Sequence, residues 1–410
     1  MNKSKKILIP VCCILGIAAV ILILHFIKNN NFTKGNSDKV NKTYNSASNY
    51  NDNYNVSNED DTSSNMISSE KAEDESITET EPVTEPPVPA YSDITIAFTG
   101  DILLADKLND AYNASGVTGF ISQKIADTLS SADITFVNEE FPFSNRGTPE
   151  PGKEYTYCVP PERAKIFKDM GVDIVSVSNN HILDYGQDAL ADTFSTLDEY
   201  GIDYVGGGAD LDRAKQLITY EVNGKTIGFL AASRVVPSGQ WYALNESESN
   251  SSRAGVFTTY DSTALCEEIR KAREICDFVI VYAHWGIERQ EVAADYQRNL
   301  AYNYIDAGAD LVIGSHAHVM QGVEFYKDVP IIYGMGNFLF SNYYSRTTVV
   351  TCTIKEDNSC NIQFLPCGSQ SYYTSDLDEA GGQEFYNFLN SVSFGVTFNS
   401  DGSFNYTNHQ

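Results

Sequence analysis

Basic residues are scarce: 28 Lys and Arg stand against 55 Asp and Glu in 410 residues, a formal net charge of −27. No basic stripe offsets that excess, so the chain repels phosphate backbones and no nucleic-acid partner is expected. Cysteine is limited to eight residues and no C-x-x-C occurs, which argues against a cysteine-based structural zinc site. No repeat at a fixed period is present, which argues against a repeat protein. Hydrophobic residues make up 42% and aromatics 12%, so the chain is neither fibrous nor wholly disordered. Its length suits one large domain or two smaller ones, each able to bury a sizeable core.

Long hydrophobic runs are also rare. The one that stands out, Ile7 to Ile27, is an uncharged stretch of 21 residues, enough to cross a hydrocarbon core of about 30 Å as a helix. Lys3, Lys5 and Lys6 precede it. The positive-inside rule then predicts a cytoplasmic tail over 1–6, a single-pass anchor in membrane lipid over 7–27, and an extracellular remainder at a Gram-positive-type surface. A cleaved signal peptide is the alternative. No small-x-small site follows the run, however, and Pro10-Val11 before Cys12 and Cys13 make a poor lipobox. Residues 28–92 are rich in Asn, Ser, Thr and acids, poor in Leu, Ile and Val, and Pro-rich over 80–89. That composition predicts a disordered stalk holding a domain away from the membrane.

From Ile94 onward, apolar β-branched runs recur at Ile94–Thr99, Ile134–Asn138, Ile174–Ser178, Thr226–Ala231, Phe278–Ala283, Leu311–Gly314 and Ile331–Gly334. Helical spacing separates them at Ile121–Leu129, Glu162–Met170, Asp188–Tyr200, Leu265–Ile275 and Tyr296–Ile305. Gly171, Gly201 and Gly308 follow three of these as helix stops. The alternation predicts an α/β fold over 93–345. Residues 346–410 read as a β-rich extension without helices. Cys266 and Cys276 are expected to be buried thiols, and Cys352 with Cys360 a pair across a hairpin.

Chemistry gathers at the carboxyl ends of the predicted strands. Four of the six histidines lie there: His181, His284, His316 and His318. Asp101, Asn138, Glu139, Glu140 and Asn180 share that setting, and Glu288 follows His284. In an open α/β sheet the carboxyl ends of the strands form the ligand crevice. Imidazoles with carboxylate and amide oxygens suit one or two Mn, Fe or Zn ions better than calcium. Each residue has a plainer reading: His284 as a hydrogen-bonded core residue, Asp101 as the cap of a helix starting at Ile102, Asn179-Asn180 as turn formers, Asp184 as the cap of the helix after Gly186, and Glu139 or Glu140 as solvated charge. Five strand ends bearing ligand-type residues favour a metal site.

Taken in order, G-D-I-L-L, V-N-E-E, S-N-N-H-x-x-D-Y-G, A-H-W-G-x-E, G-S-H-A-H and Y-G-M-G-N-F resemble the CapA family of poly-γ-glutamate capsule synthesis proteins, over about Ile94 to Phe340. That family is similar to calcineurin-like metallophosphoesterases. The resemblance implies a two-sheet sandwich flanked by helices with a dinuclear metal centre on one edge. It implies Asp101, Asn138, Glu140, Asn180, His284, His316 and His318 as metal ligands and His181 as the general acid. Asp184, Trp285, Glu288 and Asn337 then stand beside the ligands or the substrate. Two departures from the phosphoesterase pattern take a ligand from one metal position: Leu103 occupies the His position of its D-x-H, and Asn138/Glu140 replace a bridging Asp. Three readings follow. The first is a membrane-anchored hydrolase or transfer enzyme acting on polyglutamate, working with other polymer-synthesis membrane subunits. The second is a surface phosphatase or phosphodiesterase acting on a small molecule, and the third a non-catalytic assembly protein. An anionic polymer would approach so acidic a domain only where metal and loop arginines such as Arg146, Arg234 and Arg253 reverse the local field.

Overall fold

Strands alternating with amphipathic helices build two mixed sheets packed face to face. The computed structural model describes residues 92–408 except 248, 341 and 342, within one unit spanning Glu85–Gln410. The expected anchor over Ile7–Ile27, and the stalk through residue 91, lie outside the described residues. Among the described residues no helix is long and apolar enough to cross a membrane.

The first sheet runs in the order Tyr373–Asp376, Cys360–Gln370, Ser345–Ile354, Ile94–Ile102, Ile134–Glu139, Ile174–Ser176, Asp203–Val205, with Asn337–Leu339 also paired to Ile94–Ile102. Its last four strands are parallel. The second runs Val323–Tyr326, Val329–Ile332, Leu311–Ser315, Phe278–His284, Lys225–Ser233, Ile218–Val222, with its four inner strands parallel. All seven predicted strands form, with shifted ends.

Why these strands read as continuously apolar is now explicit. Phe278, Ile280 and Tyr282 face the other sheet, while Val279, Val281 and Ala283 face the helices Thr263–Arg273 and Asp295–Ala307. Ile96 and Phe98 likewise face inward and Ala97 outward. A strand with period two and both faces covered needs apolar residues at every position. Across the interface Phe136 meets Phe229 at 5.7 Å and Tyr282 at 4.8 Å between ring centroids. Burying such a ring stabilises by roughly 2–3 kcal/mol.

All five predicted helices are present. Gly201 (φ 61°) and Gly308 (φ 118°) end the helices Gly186–Tyr200 and Asp295–Ala307 in the left-handed conformation, as helix stops should. The extension corrects one expectation, because it contains the helix Glu379–Val392, which buries Phe385, Leu389 and Val392. A further helix, Asp106–Ser115, buries only Leu108 and so carries no apolar stripe to read. Cys352 and Cys360 are free thiols, not a disulfide, and Cys266 and Cys276 are buried as expected. Within the ladder Cys352 faces Ile362 and Cys360 faces Ile354, so the two thiols are diagonal instead of opposite.

Candidate metal centre

Strand register assembles the site before any side chain is considered. Asp101 pairs with Asn138 on one side and Asn337 on the other, and Ser176 follows in register. In the second sheet His284 lies level with Ser233 and Ser315. Gly100 permits this crowding, since a Cβ there would sit 2.0 Å from the carbonyl oxygen of Gly336. The carboxyl ends of both sheets then meet where Nε2 of His284 lies 2.7 Å from Oδ1 of Asn180.

Glu140 is the centre of the cluster. Its Oε2 accepts from Asn138 Nδ2 at 3.1 Å, and the same amide donates to Asp101 Oδ1 at 2.9 Å. His284 Nε2 stands 3.7 Å and His318 Nε2 3.8 Å from Glu140 Oε1. His318 Nδ1 lies 3.3 Å from Asp101 Oδ2 and 2.9 Å from Asn337 Oδ1. The strand ends at Ser315, and His316 (φ 87°) and His318 (φ 56°) both adopt left-handed backbone. Each such conformation costs about 1–3 kcal/mol and persists where surrounding structure enforces it. It breaks the alternation of a strand and brings His316 and His318 together at Glu140, with ligand atoms within 4.8 Å of one another.

Electrostatics follow from crowding without water. Burial, with Asp101 adding to it, pushes the Glu140 carboxyl well above its ordinary value. Burial, then the neighbouring His318, brings His316 down to about 3. His284 is also held well below the usual imidazole range by burial and by His316. For His318, burial acts downward but the Glu140 and Asp101 carboxylates outweigh it, holding it up to about 10.

Does the cluster fit a cation? Glu140 Oε1 and His316 Nδ1 are buried polar atoms with no hydrogen-bond partner. A buried acceptor left unsatisfied costs about 1–3 kcal/mol, and such groups are rare in folded proteins. Carboxylate and imidazole donors converging with lone pairs unused are what a divalent transition ion requires. Glu140, His316 and His318 therefore fit a metal ion.

A second constellation stands beside the first. His181 Nδ1 lies 2.7 Å from Asp184 Oδ2. The Lys153 ammonium stands 3.1 Å from the same Nδ1; with the nearer Asp184 carboxylate accepting from Nδ1, Nε2 is left for the cleft that His181 lines. Burial lowers the His181 pKa, opposed by its bond to Asp184. Asp184 also accepts from the Tyr157 backbone N–H at 2.8 Å and pairs with Lys153. The Lys153 ammonium further donates to the Asn180 carbonyl and lies over Trp241, 5.1 Å from the ring centroid. Tyr157 packs against His181, the rings tilted by 38° with centroids 4.6 Å apart. Asn179 ties the strand ends together: its amide donates to the Glu139 carbonyl at 2.7 Å and accepts from the backbone N–H of His181 and Ile182.

Several plainer readings fall. Asp101 caps no helix, since its strand continues to Ile102. Asp184 is turned inward instead of capping Gly186–Tyr200, and Glu139 and Glu140 are completely buried. Asn179 does serve as the turn former. Trp285 is buried beneath the site, its Nε1 donating to Tyr333 O at 3.0 Å, and it stacks on Tyr304 away from the cleft. Glu288 is exposed on the cleft wall. Arg146 pairs with Asp192, Arg234 lies over Tyr260, and Arg253 bonds to Gln240, so none of the three lines the cleft. Lys153 and Tyr157 belong to a loop whose sequence carries no periodicity to mark them.

The family model for "Bacterial capsule synthesis protein PGA_cap" matches residues 95–342. The "PGA biosynthesis protein CapA" of Bacillus subtilis (strain 168) is 32% identical over 288 residues, covering 68% of this chain and 73% of that one. The "Capsule biosynthesis protein CapA" of Bacillus anthracis is 27% identical over 300 residues, covering 70% and 71%. Among solved structures, a hypothetical protein from Thermus thermophilus covers 66% of this chain and 99% of its own at 14% identity and a TM-score of 0.41, a likeness too slight to bear on fold or chemistry.

Proposed function

The chain belongs to the bacterial capsule synthesis protein PGA_cap family, and from that premise we propose that it is a divalent-metal-dependent hydrolase or transfer enzyme of extracellular polymer biogenesis. The observation that carries the reading is the convergence of Glu140, His316 and His318, with two polar atoms orphaned, beside a histidine already oriented by an aspartate. Glu140, His316 and His318 would hold one ion, and Asp101, Asn138, Asn180 and His284 supply further donors to it or to a second. An Mn, Fe or Zn ion there supplies Lewis-acid polarisation and makes a water more acidic.

The chain's own residues do the rest. Asp184 fixes the His181 tautomer, so Nε2 faces the cleft and can pass a proton to a leaving group. Lys153 and the Tyr157 N–H hold Asp184 in place, and the Tyr157 ring packs against His181, which is buried.

The two bacillar relatives carry names of PGA and capsule biosynthesis, and we extend a polymer-handling role to this chain. Attachment to membrane lipid through Ile7–Ile27, an extracellular domain and association with other polymer-synthesis membrane subunits belong to the same proposal. It is supported by Lys3, Lys5 and Lys6 and by the Asn- and Pro-rich stretch that follows the run.

A metallophosphatase or phosphodiesterase, as in the metallophosphoesterase fold, is the second reading, favoured by the same donor set with its adjacent acid. Leu103, lining the cleft where that pattern would place a histidine, counts against it. The test is turnover by the full chain supplied with Mn²⁺ or Zn²⁺. Cleavage or transfer of a γ-glutamyl oligomer, lost about 10²–10⁴-fold in His181→Ala with metal retained, is the expected result. Turnover of aryl phosphates alone would establish the second reading, and neither activity with metal bound would leave an assembly role.

A further inference from the structure

We propose that the wall of the cleft above the metal-ligand cluster is a subsite for an extended polycarboxylate chain. Arg289 and Arg346 are its carboxylate contacts, and Tyr155, Tyr343 and Tyr344 are the surface along which it lies. The inference rests on the function proposed above and assigns residues to its substrate.

Size comes first. The cleft over His181 and His318 encloses about 1320 Å³, more than the 300–1,000 Å³ or so that suits a compact small molecule. It is also open along the mouth, where Tyr155, Tyr343 and Tyr344 are 60%, 82% and 58% exposed. Large aromatics exposed in one place mark a contact surface, and tyrosine provides rigid area at low entropic cost.

Charge decides the chemistry. Acids outnumber bases about two to one in the whole chain, and four of its ten arginines are taken up in ion pairs among the described residues. These are Arg146, Arg163, Arg273 and Arg298. Arg289 and Arg346, both lining the cleft, make no ion pair among the described residues, although Glu154, Glu288 and Glu291 line it too. Neither position is loose. Arg289 is held in left-handed backbone (φ 62°) by its N–H bond to the Ala317 carbonyl, 2.8 Å away, between the two histidines of the cluster. The Arg346 guanidinium lies 4.1 Å from the Phe388 ring centroid. Two guanidiniums on the cleft wall without an ion pair, Arg289 on a backbone anchored at Ala317 and Arg346 packed on Phe388, are suited to carboxylates of a chain passing over it. With Lys153 they match the three glutamates of the same cleft, Glu154, Glu288 and Glu291, so its wall carries bases and acids in equal number where the chain as a whole has twice as many acids.

Binding of a fluorescent γ-glutamate oligomer to the full chain in excess chelator tests this without any turnover. The wild type is expected to bind the oligomer more tightly than free glutamate, and Arg289→Ala/Arg346→Ala to bind it at least tenfold more weakly at unchanged thermal stability. Because Arg346 packs on Phe388, Arg289→Ala alone is the control for folding and should lose at least threefold. Oligomer binding by a metal-loaded chain that turns nothing over would uphold the subsite while the enzyme reading fails. A wild type blind to the oligomer, or folded arginine variants that bind it as the wild type does, overturns the inference even if γ-glutamyl turnover is found.

Discussion

Glu324 and Glu140 are both buried glutamates in the same domain, and their surroundings differ in kind. Glu324 accepts from Arg298 Nε at 2.9 Å and Nη2 at 2.7 Å, and from the hydroxyls of Tyr302 at 2.5 Å and Tyr333 at 2.8 Å. Burial alone would raise its pKa, but Arg298 and the two tyrosines outweigh that and hold it below the ordinary glutamate value. Glu140 accepts a single bond, from Asn138, keeps Oε1 unpartnered and is pushed the other way. The Glu324 carboxylate is satisfied from within the chain. One left short of partners, among strained histidines, is arranged for a partner from outside.

Substitution should separate the two most sharply at Glu324. Glu324→Ala strands Arg298 and two tyrosine hydroxyls and is expected to cost about 3 kcal/mol in urea unfolding; a loss below about 1 kcal/mol would erase the contrast. Its pH dependence has a definite sign. The folded value is depressed, so the Glu324 contribution is complete above the unfolded glutamate pKa of about 4.3 and is lost as pH falls through the folded value. The stability gap between wild type and Glu324→Gln should therefore narrow on acidification, and a gap that widens would contradict the assignment. Lys153→Met comes next, at about 2 kcal/mol, because Asp184 is left buried without its ammonium. Faster proteolysis between residues 145 and 158 should accompany it, and Lys153→Arg should restore part of the loss. Glu140→Gln reverses the sign: in chelator it should gain about 1 kcal/mol at neutral pH, read as a higher Tm, where a structural carboxylate would lose. Smallest is Glu288→Gln, exposed on the cleft wall, expected within about 0.5 kcal/mol of wild type with unchanged metal content.

Much of this was legible before the structure because the governing signals are local. A strand covered on both faces, such as Phe278–His284, must be apolar throughout and stops where polar residues begin, so the strands and the crevice at their carboxyl ends were visible together. What escaped notice depends on tertiary contacts. Lys153 acquires its role only when its loop folds over Asp184, and nothing in Glu150-Pro151-Gly152-Lys153 signals it. The helix Glu379–Val392 was hidden by Gly381 and Gly382 in its first turn, where low propensity is offset by burial of Phe385 and Leu389. Trp285 shares its motif with His284 yet points to the opposite side of the sheet, because successive strand residues alternate faces. The expected disulfide between Cys352 and Cys360 is not formed: the register sets them diagonally, and their thiols stand in hydrogen-bonding contact as free cysteines.

Everything above turns on metal binding by Glu140, His316 and His318. Elemental analysis of the full chain, purified without chelator beside the His316→Ala/His318→Ala variant, tests it most directly. The expected result is about one to two Mn, Fe or Zn ions per chain, lost from the variant while its circular dichroism spectrum is retained. A parent chain that stays metal-free after incubation with Mn²⁺ or Zn²⁺ would contradict it.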